Sequence, residues 1–411
     1  MLEEVLREFN PWWGSPYEPP GIPRKRYVSE IERLMGLERV ILVFGLRRVG
    51  KSFILKQLAS EMIKEVGPDK VFYAAMDHPM LSGTSILDLL SEFRRINKVD
   101  KRSPHFLLLD EVHHRKDFEW ELKALADADD GLRVVAAGSS SLVVRHKSAA
   151  MTGRYLKVQV YPMDFAEYLG FTGRSYDPSN PAQMAGLMDE YLVCGGMPKY
   201  VLTKEPQVLL NIIDDVIFKD IVNEYGIDNG GRLKNLFYLM MDRVGRQLSY
   251  EKIGRLIGVS GDTATKYIDH FQEAYLLNLC ERSGTPNEGK RGPKKVYCPD
   301  NGFRVVMTGT RGSGALAENL VYNILAKGQE IKFTVVDGSE VDFLAKDTAV
   351  EVKYRDNLID EDVKPFISKN IRGIKHKILI TPKGADIKGL TVVPLWRFAY
   401  EASQDRKGTP K

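Results

Sequence analysis

The chain has 411 residues, 43% hydrophobic and 28% charged, with a net charge of +4. The length exceeds one ordinary hydrophobic core, so several domains are expected. The composition excludes a disordered chain, and no stretch has the unbroken apolar length that crosses a bilayer.

The first residues, MLEEVLREFNPWW, are acidic where a signal peptide is basic, so a cytoplasmic protein without a membrane partner is expected. Cys194, Cys280 and Cys298 are odd in number and match no zinc spacing, which reads as reduced thiols without chemistry. The net charge permits a polyanionic partner without requiring one.

After the loop PYEPPGIP at 16–23 come an apolar strand, a glycine loop and a helix: VILVF, GLRRVGKS, FILKQLASEMIKEV. Gly45, Gly50, Lys51 and Ser52 fit the P-loop pattern G-x-x-x-x-G-K-[ST]. Backbone N–H groups of such a loop, which here includes Arg47 and Arg48, wrap phosphates. Lys51 then reaches the β and γ oxygens, and the Ser52 hydroxyl holds Mg²⁺. ATP and Mg²⁺ are therefore the expected cofactors. Apolar residues at 54, 55, 58, 59, 62 and 66 give the helix one buried face.

HFLLLDEVHH reads as a buried strand with Asp110 and Glu111 emerging at its carboxyl edge, beside the P-loop strand. Asp110 suits Mg²⁺ and Glu111 the orientation of an attacking water. His113 and His114 read as polar surface residues. A further strand, LRVVAAG, leads into the serines at 139–141, where Ser139 is placed to sense the γ-phosphate. MTGRYLKVQVYPMDFAEYLGF adds Gly153-Arg154, a strand and a short helix. Alternating strands and helices imply a parallel sheet covered on both faces.

Residues 9–170 resemble the AAA+ superfamily of ATPases, in a branch found in archaea and bacteria. The resemblance rests on NPWW at 10–13, GLRRVGKS at 45–52, LDE at 109–111, AAGSSS at 136–141, Gly153-Arg154 and PMDFAEY at 162–168. It implies that Arg154 compensates γ-phosphate charge, in cis or from a neighbouring subunit of a homo-oligomer; a plain surface arginine is the other reading. It also implies a helical lid after the core, whose G-x-P turn, Gly196-Met197-Pro198, faces the nucleotide. On physics alone that turn is only a loop between helices.

LSYEKIGRLIGVSGDTATKYIDHFQEAYLLNLCER has helix-turn-helix spacing. Its second helix is capped by Ser260 or Asp262, buries Ala264, Tyr267, Ile268 and Phe271, and turns Thr263, Thr265 and Lys266 outward. A strand at 274–280, a basic turn and a return strand KVYCPD read as a wing. Lys290, Arg291, Lys294 and Lys295 are its basic patch, suited with Lys266 to DNA phosphates. The module equally suits contact with another protein.

From 314, GALAENLVYNILAKG reads as a helix with Leu316, Leu320, Ile324 and Leu325 buried and Glu318 just off that face. KFTVVDG and EVDFLA form a hairpin, TAVEVKY a third strand, DEDVKPFISKNI a helix and HKILITPKG a fourth strand. Alternation puts Ala349, Glu351 and Lys353 on one face, with Asp342 alongside Glu351. Two carboxylates with an adjacent lysine can bind Mg²⁺ or Mn²⁺ near a phosphodiester, and Glu318 can complete the shell. Glu318-Asn319, Glu340-Val341-Asp342-Phe343 and Val350-Glu351-Val352-Lys353 resemble the PD-(D/E)XK nuclease superfamily, departing at Val341, where a proline is usual.

The sequence thus predicts an α/β protein: a P-loop AAA+ parallel-sheet core at 1–175, a helical lid at 176–235, a winged helix-turn-helix at 236–305, and a PD-(D/E)XK nuclease-like domain at 306–411. The expected function is an ATPase acting on DNA, branched or otherwise structured, with a metal-dependent nuclease-like domain. The alternative is a nucleotide-driven switch or DNA remodeller whose nuclease fold only binds or assembles.

Overall fold

The computed structural model describes residues 2–128, 131–138, 153–284, 292–355, 358 and 360–404. The chain forms two compact units, Met1–Tyr161 and Pro162–Lys411.

In the first unit five apolar runs form strands: β1 Val40–Gly45, β2 Val71–Ala75, β3 His105–Asp110, β4 Leu132–Gly138 and β5 Leu156–Val160. They pair in parallel in the order β2-β3-β4-β1-β5. β1 and β3 are buried at every residue, as strands covered on both faces must be. Helices α1 (Leu2–Phe9), α2 (Lys25–Met35), α3 (Lys51–Val66), α4 (Ile86–Asn97) and α5 (Phe118–Asp127) supply the cover. One core joins Val40, Leu42, Phe72, Leu107 and Val134 of the strands to Leu6 of α1, Phe93 of α4 and Leu122 of α5. The expectation that β3 neighbours β1 is corrected, because β4 lies between them. All three nevertheless end at the same carboxyl edge.

β2 is an outer strand, and unpaired strand edges invite misassociation. The NPWW segment covers this one. Asn10 donates from Nδ2 to the Tyr73 carbonyl at 2.9 Å and accepts from the Tyr73 N–H at 2.6 Å. The indoles of Trp12 and Trp13 both donate to the Val71 carbonyl, at 2.9 and 3.0 Å.

The second unit begins with helices at Phe165–Thr172, Pro181–Cys194, Pro198–Thr203, Pro206–Asp214 and Gly230–Asp242, as the helical reading of that stretch expects. The helix-turn-helix is Tyr250–Ile257 and Gly261–Glu273. Ser260 caps the second helix, accepting from the Thr263 N–H at 3.1 Å. Ala264, Ile268 and Phe271 are buried and Lys266 is exposed.

Seven further strands follow: β6 Asn278–Arg282, β7 Lys295–Tyr297, β8 Lys332–Val336, β9 Ser339–Ala345, β10 Thr348–Val352, β11 His376–Thr381 and β12 Thr391–Pro394. They make one sheet, β12-β11-β10-β9-β8-β6-β7. The two strands expected as a wing are present in this sheet. β6 and β7 do form an antiparallel pair, but β6 also pairs in parallel with β8 through Glu281 and Arg282. The hairpin is thus the edge of the seven-stranded sheet. The helix Ser313–Leu325 packs on β9 and β10 and is buried nearly all round, not on the single face expected.

Candidate functional site

The P-loop closes between β1 and α3. Gly45 has φ +151°, and a Cβ there would lie 2.3 Å from the Val160 carbonyl, so only glycine lets the loop leave β1 against β5. Lys51 is buried and its Nζ donates to the Gly45 and Leu46 carbonyls at 3.0 and 3.1 Å, capping the loop it would leave to reach a phosphate. Arg24, which carries no motif and escapes a reading by spacing, holds the loop from behind. It donates to the Val49 carbonyl at 3.0 Å and the Tyr161 carbonyl at 3.1 Å.

Asp110 ends β3, buried, and accepts from the Tyr73 hydroxyl at 2.9 Å and the Glu111 N–H at 3.0 Å. Each carboxylate oxygen keeps a lone pair, so Asp110 and Ser52 fit Mg²⁺ at this edge. Glu111 adopts φ 49°, ψ 39°, a left-handed conformation rare outside glycine and frequent at functional sites. Burial pushes its carboxyl above the usual range; Lys51 opposes this and Asp110 adds to it. Glu111, Lys51 and Arg47 therefore lie within electrostatic reach of one another. The loop after β1 and the residues Asp110 and Glu111 at the end of β3 thus lie at one sheet edge. His113, expected at the surface, has a side chain only 12% exposed and lies beside Glu111.

Arg154 sits at the other edge. Leu156 pairs with Ile41 and Val160 with Gly45, so Arg154 precedes the amino end of β5. At ~3.3 Å per residue the phosphate edge is about 20 Å away, beyond an arginine's reach, which corrects the cis reading. Its Nε is paired to Asp127 Oδ1 at 2.7 Å. Ser139 lies outside the described residues, as do Lys290 and Arg291.

Gly196 gives its N–H to Asp300 Oδ2 at 2.5 Å, and its carbonyl accepts from the Met163 N–H at 2.8 Å. A Cβ would lie 2.1 Å from the Met163 carbonyl. This glycine is required by packing, and its N–H is already used. Pro198 opens the helix Pro198–Thr203.

In the second unit the register of β9 and β10 pairs Val350 with Phe343 and so sets Glu351 beside Asp342, as expected. The Asp342 N–H donates to Glu351 Oε2 at 3.3 Å, and the Val352 N–H to Asp342 Oδ2 at 3.0 Å. Lys353 Nζ meets Glu351 Oε1 at 2.7 Å. Glu318 reaches the same cluster from its helix, while Asn319 ties that helix to the residue after β7 through the Cys298 N–H and carbonyl at 2.8 and 3.0 Å.

The centre of the cluster is Lys295. The sequence reading places this lysine on DNA, but its side chain is 1% exposed. The contact with phosphate is therefore corrected: the ammonium lies 2.6 Å from Glu318, 2.8 Å from Glu340 and 3.4 Å from Asp342. Burial works against its charge, but these carboxylates outweigh it and hold the ammonium well above its ordinary range. Tyr297 donates to the same Glu318 oxygen at 2.7 Å. Burial and the Asp342 charge push the Glu318 carboxyl up. Lys295 was hidden because a basic stretch in sequence does not show which lysine points inward. Neighbouring Lys294 is paired with Glu281 at 2.9 Å. The carboxylates are of the type Mg²⁺ or Mn²⁺ takes at roughly 2.1 Å. An internal ammonium stands where three of them converge, so the cluster as folded does not fit a divalent ion.

Among the described residues no helix is long and apolar enough to cross a membrane. Residues 186–313 match a family model described as a domain of unknown function (DUF8612). An uncharacterized protein of Haemophilus influenzae is 23% identical over 90% of this chain and 97% of its own length. Uncharacterized proteins of Methanocaldococcus jannaschii are 23% and 25% identical, over 77% and 63% of this chain and 74% and 60% of theirs. Among solved structures, the Walker-type ATPase of Pyrococcus abyssi is 12% identical with a TM-score of 0.45, over 69% of this chain and 95% of that one. The Aeropyrum pernix ORC1 protein in complex with DNA is 12% identical with a TM-score of 0.32, over 74% and 94%. Residues 37–169 match the family model of the AAA domain, and the chain carries an AAA-type P-loop ATPase core.

Proposed function

We propose that the chain is an ATP-hydrolysing AAA-type switch that acts on DNA, and that its nuclease-like fold binds or assembles without cutting. The observation that carries the choice is Lys295 among Glu318, Glu340 and Asp342. In the ATPase half, Lys51 leaves the Gly45 and Leu46 carbonyls for the β and γ oxygens. Mg²⁺, when bound by Ser52 and Asp110, supplies charge neutralisation at those oxygens. Glu111 orients the water, and Tyr73 keeps Asp110 turned to the edge. Arg154 serves, in this reading, a neighbouring subunit. Lys266 remains the exposed DNA-contact candidate among the described basic residues.

The second reading is a metal-dependent nuclease, favoured by the Asp342–Glu351 register with Lys353 alongside. One experiment separates the two: ATP turnover with and without DNA, and cleavage of labelled linear and branched DNA with Mg²⁺ or Mn²⁺. DNA-stimulated turnover lost in Lys51→Ala and Asp110→Ala, with no cleavage, supports the proposal. Cleavage lost in both Asp342→Ala and Lys353→Ala establishes the nuclease instead, and turnover indifferent to DNA sinks the DNA-coupled switch.

A further inference from the structure

β3 delivers Asp110 to the carboxyl edge, and the left-handed turn at Glu111 then folds the chain into a short 3-10 turn, Val112–His114. Val112 is fully buried and anchors that turn in the core. The consequence is that His114, which a strand would turn to the face opposite Glu111 and His113, presents its side chain to the same place as theirs. One ligand atom from each lies within 4.8 Å of the others. His113 Nδ1 is 3.4 Å from Glu111 Oε2, and the imidazole centroids are 4.6 Å apart.

Zinc takes imidazole nitrogen and carboxylate oxygen at roughly 2.0–2.1 Å in tetrahedral geometry, which sets its ligand atoms about 3.4 Å from each other. The Glu111–His113 separation already has that value. His114 is exposed and needs only side-chain rotation to close the third edge. The charges acting on Glu111 are mixed: Lys51, the strongest, and Arg47 oppose a cation here, and Asp110 and Asp77 favour one, so the ligand atoms and not the surrounding field must hold it.

We propose that Glu111, His113 and His114 form a transition-metal site of the zinc class, with three protein ligands and an open position. Occupation takes Glu111 away from the water it orients, so zinc is an inhibitor of ATP turnover. The inhibitory half rests on the ATPase reading above; the binding half does not.

The test uses untagged full-length protein and Zn²⁺ in competition with a chromogenic chelator. The variants are His114→Ala and the pair His113→Asn with His114→Ala, and thermal melting confirms their folding. One Zn²⁺ per wild-type chain is expected, with affinity lowered about tenfold or more in the variants. Equal zinc binding by folded wild type and variants, or none by wild type at micromolar Zn²⁺, overturns the site. ATP turnover is then read as the ratio with and without Zn²⁺ within each protein. The ratio should fall in wild type and stay near one in the double variant. Zinc bound by wild type with its turnover unaffected overturns Glu111 as a ligand. Should no protein hydrolyse ATP, the function reading fails while the chelator titration still decides the site.

Discussion

Replacing Lys295 by methionine keeps the length of the buried stem and removes its charge, which isolates what the ammonium contributes. At 2.6 and 3.4 Å from Glu318 and Asp342, the gross attraction is on the order of 5 kcal/mol per pair at an effective dielectric of ~20. Desolvation of the ions offsets several kcal/mol of this, and the Glu340 side chain, 34% exposed, is discounted for screening. The net cost of stranding the carboxylates is about 3–5 kcal/mol. In a unit the size of Pro162–Lys411 each kcal/mol moves Tm by roughly 2–4 °C, so the melt of Lys295→Met should fall by about 10 °C. A divalent ion could then take the vacated centre, and Mn²⁺ at a hundredfold excess over its Kd would return about 2.7 kcal/mol. Thermal melting of wild type and Lys295→Met, with and without Mn²⁺, reads both effects. A variant melting within about 2 °C of wild type, or a wild type stabilised by Mn²⁺ as much as the variant, would refute the reasoning.

Tyr73→Phe removes the hydroxyl donor to Asp110; ATP turnover should drop severalfold while stability falls by only about 1–3 kcal/mol, and unchanged turnover would deny Tyr73 its positioning role. Arg154→Ala breaks an exposed ion pair, so its melt should lie within about 2 °C of wild type. Its turnover should fall only at protein concentrations where chains associate; a concentration-independent loss would contradict action across subunits. Burial pushes the thiols of Cys280 and Cys298 up to about 12. Because a raised thiol pKa removes thiolate, neither should react with a disulfide reagent at pH 8 until the chain is unfolded; rapid native-state labelling of either would show the burial wrong.

The strands and the P-loop were legible because each depends on neighbours in sequence: apolar runs for β1 and β3, spacing for Gly45 to Ser52, and alternation for the Asp342–Glu351 pair. Sheet order was not legible, because β4 enters between β1 and β3 after both have been read; nor was the parallel pairing of β5 with β1, which puts Arg154 at the far edge. The wider pairing of the wing strands was hidden for a similar reason. Both strands were found, but the parallel bond from β6 to β8 joins residues some fifty positions apart. Lys295 and Arg24 look like any other basic residue until the fold decides which side chains are enclosed. His113 read as a surface residue because nothing in DEVHH announces the left-handed turn at Glu111.

The bond between β6 and β8 also bears on inheritance. The helix-turn-helix leads directly into the strand pair that carries Lys295, and the carboxylates balancing that lysine belong to the helix Ser313–Leu325 and to β9 beyond. Neither piece can be exchanged between relatives by itself. A graft ending near residue 305 would leave a buried cation on one side and stranded acids on the other. Position 295 should therefore drift through evolution in step with positions 318 and 342, as one heritable block.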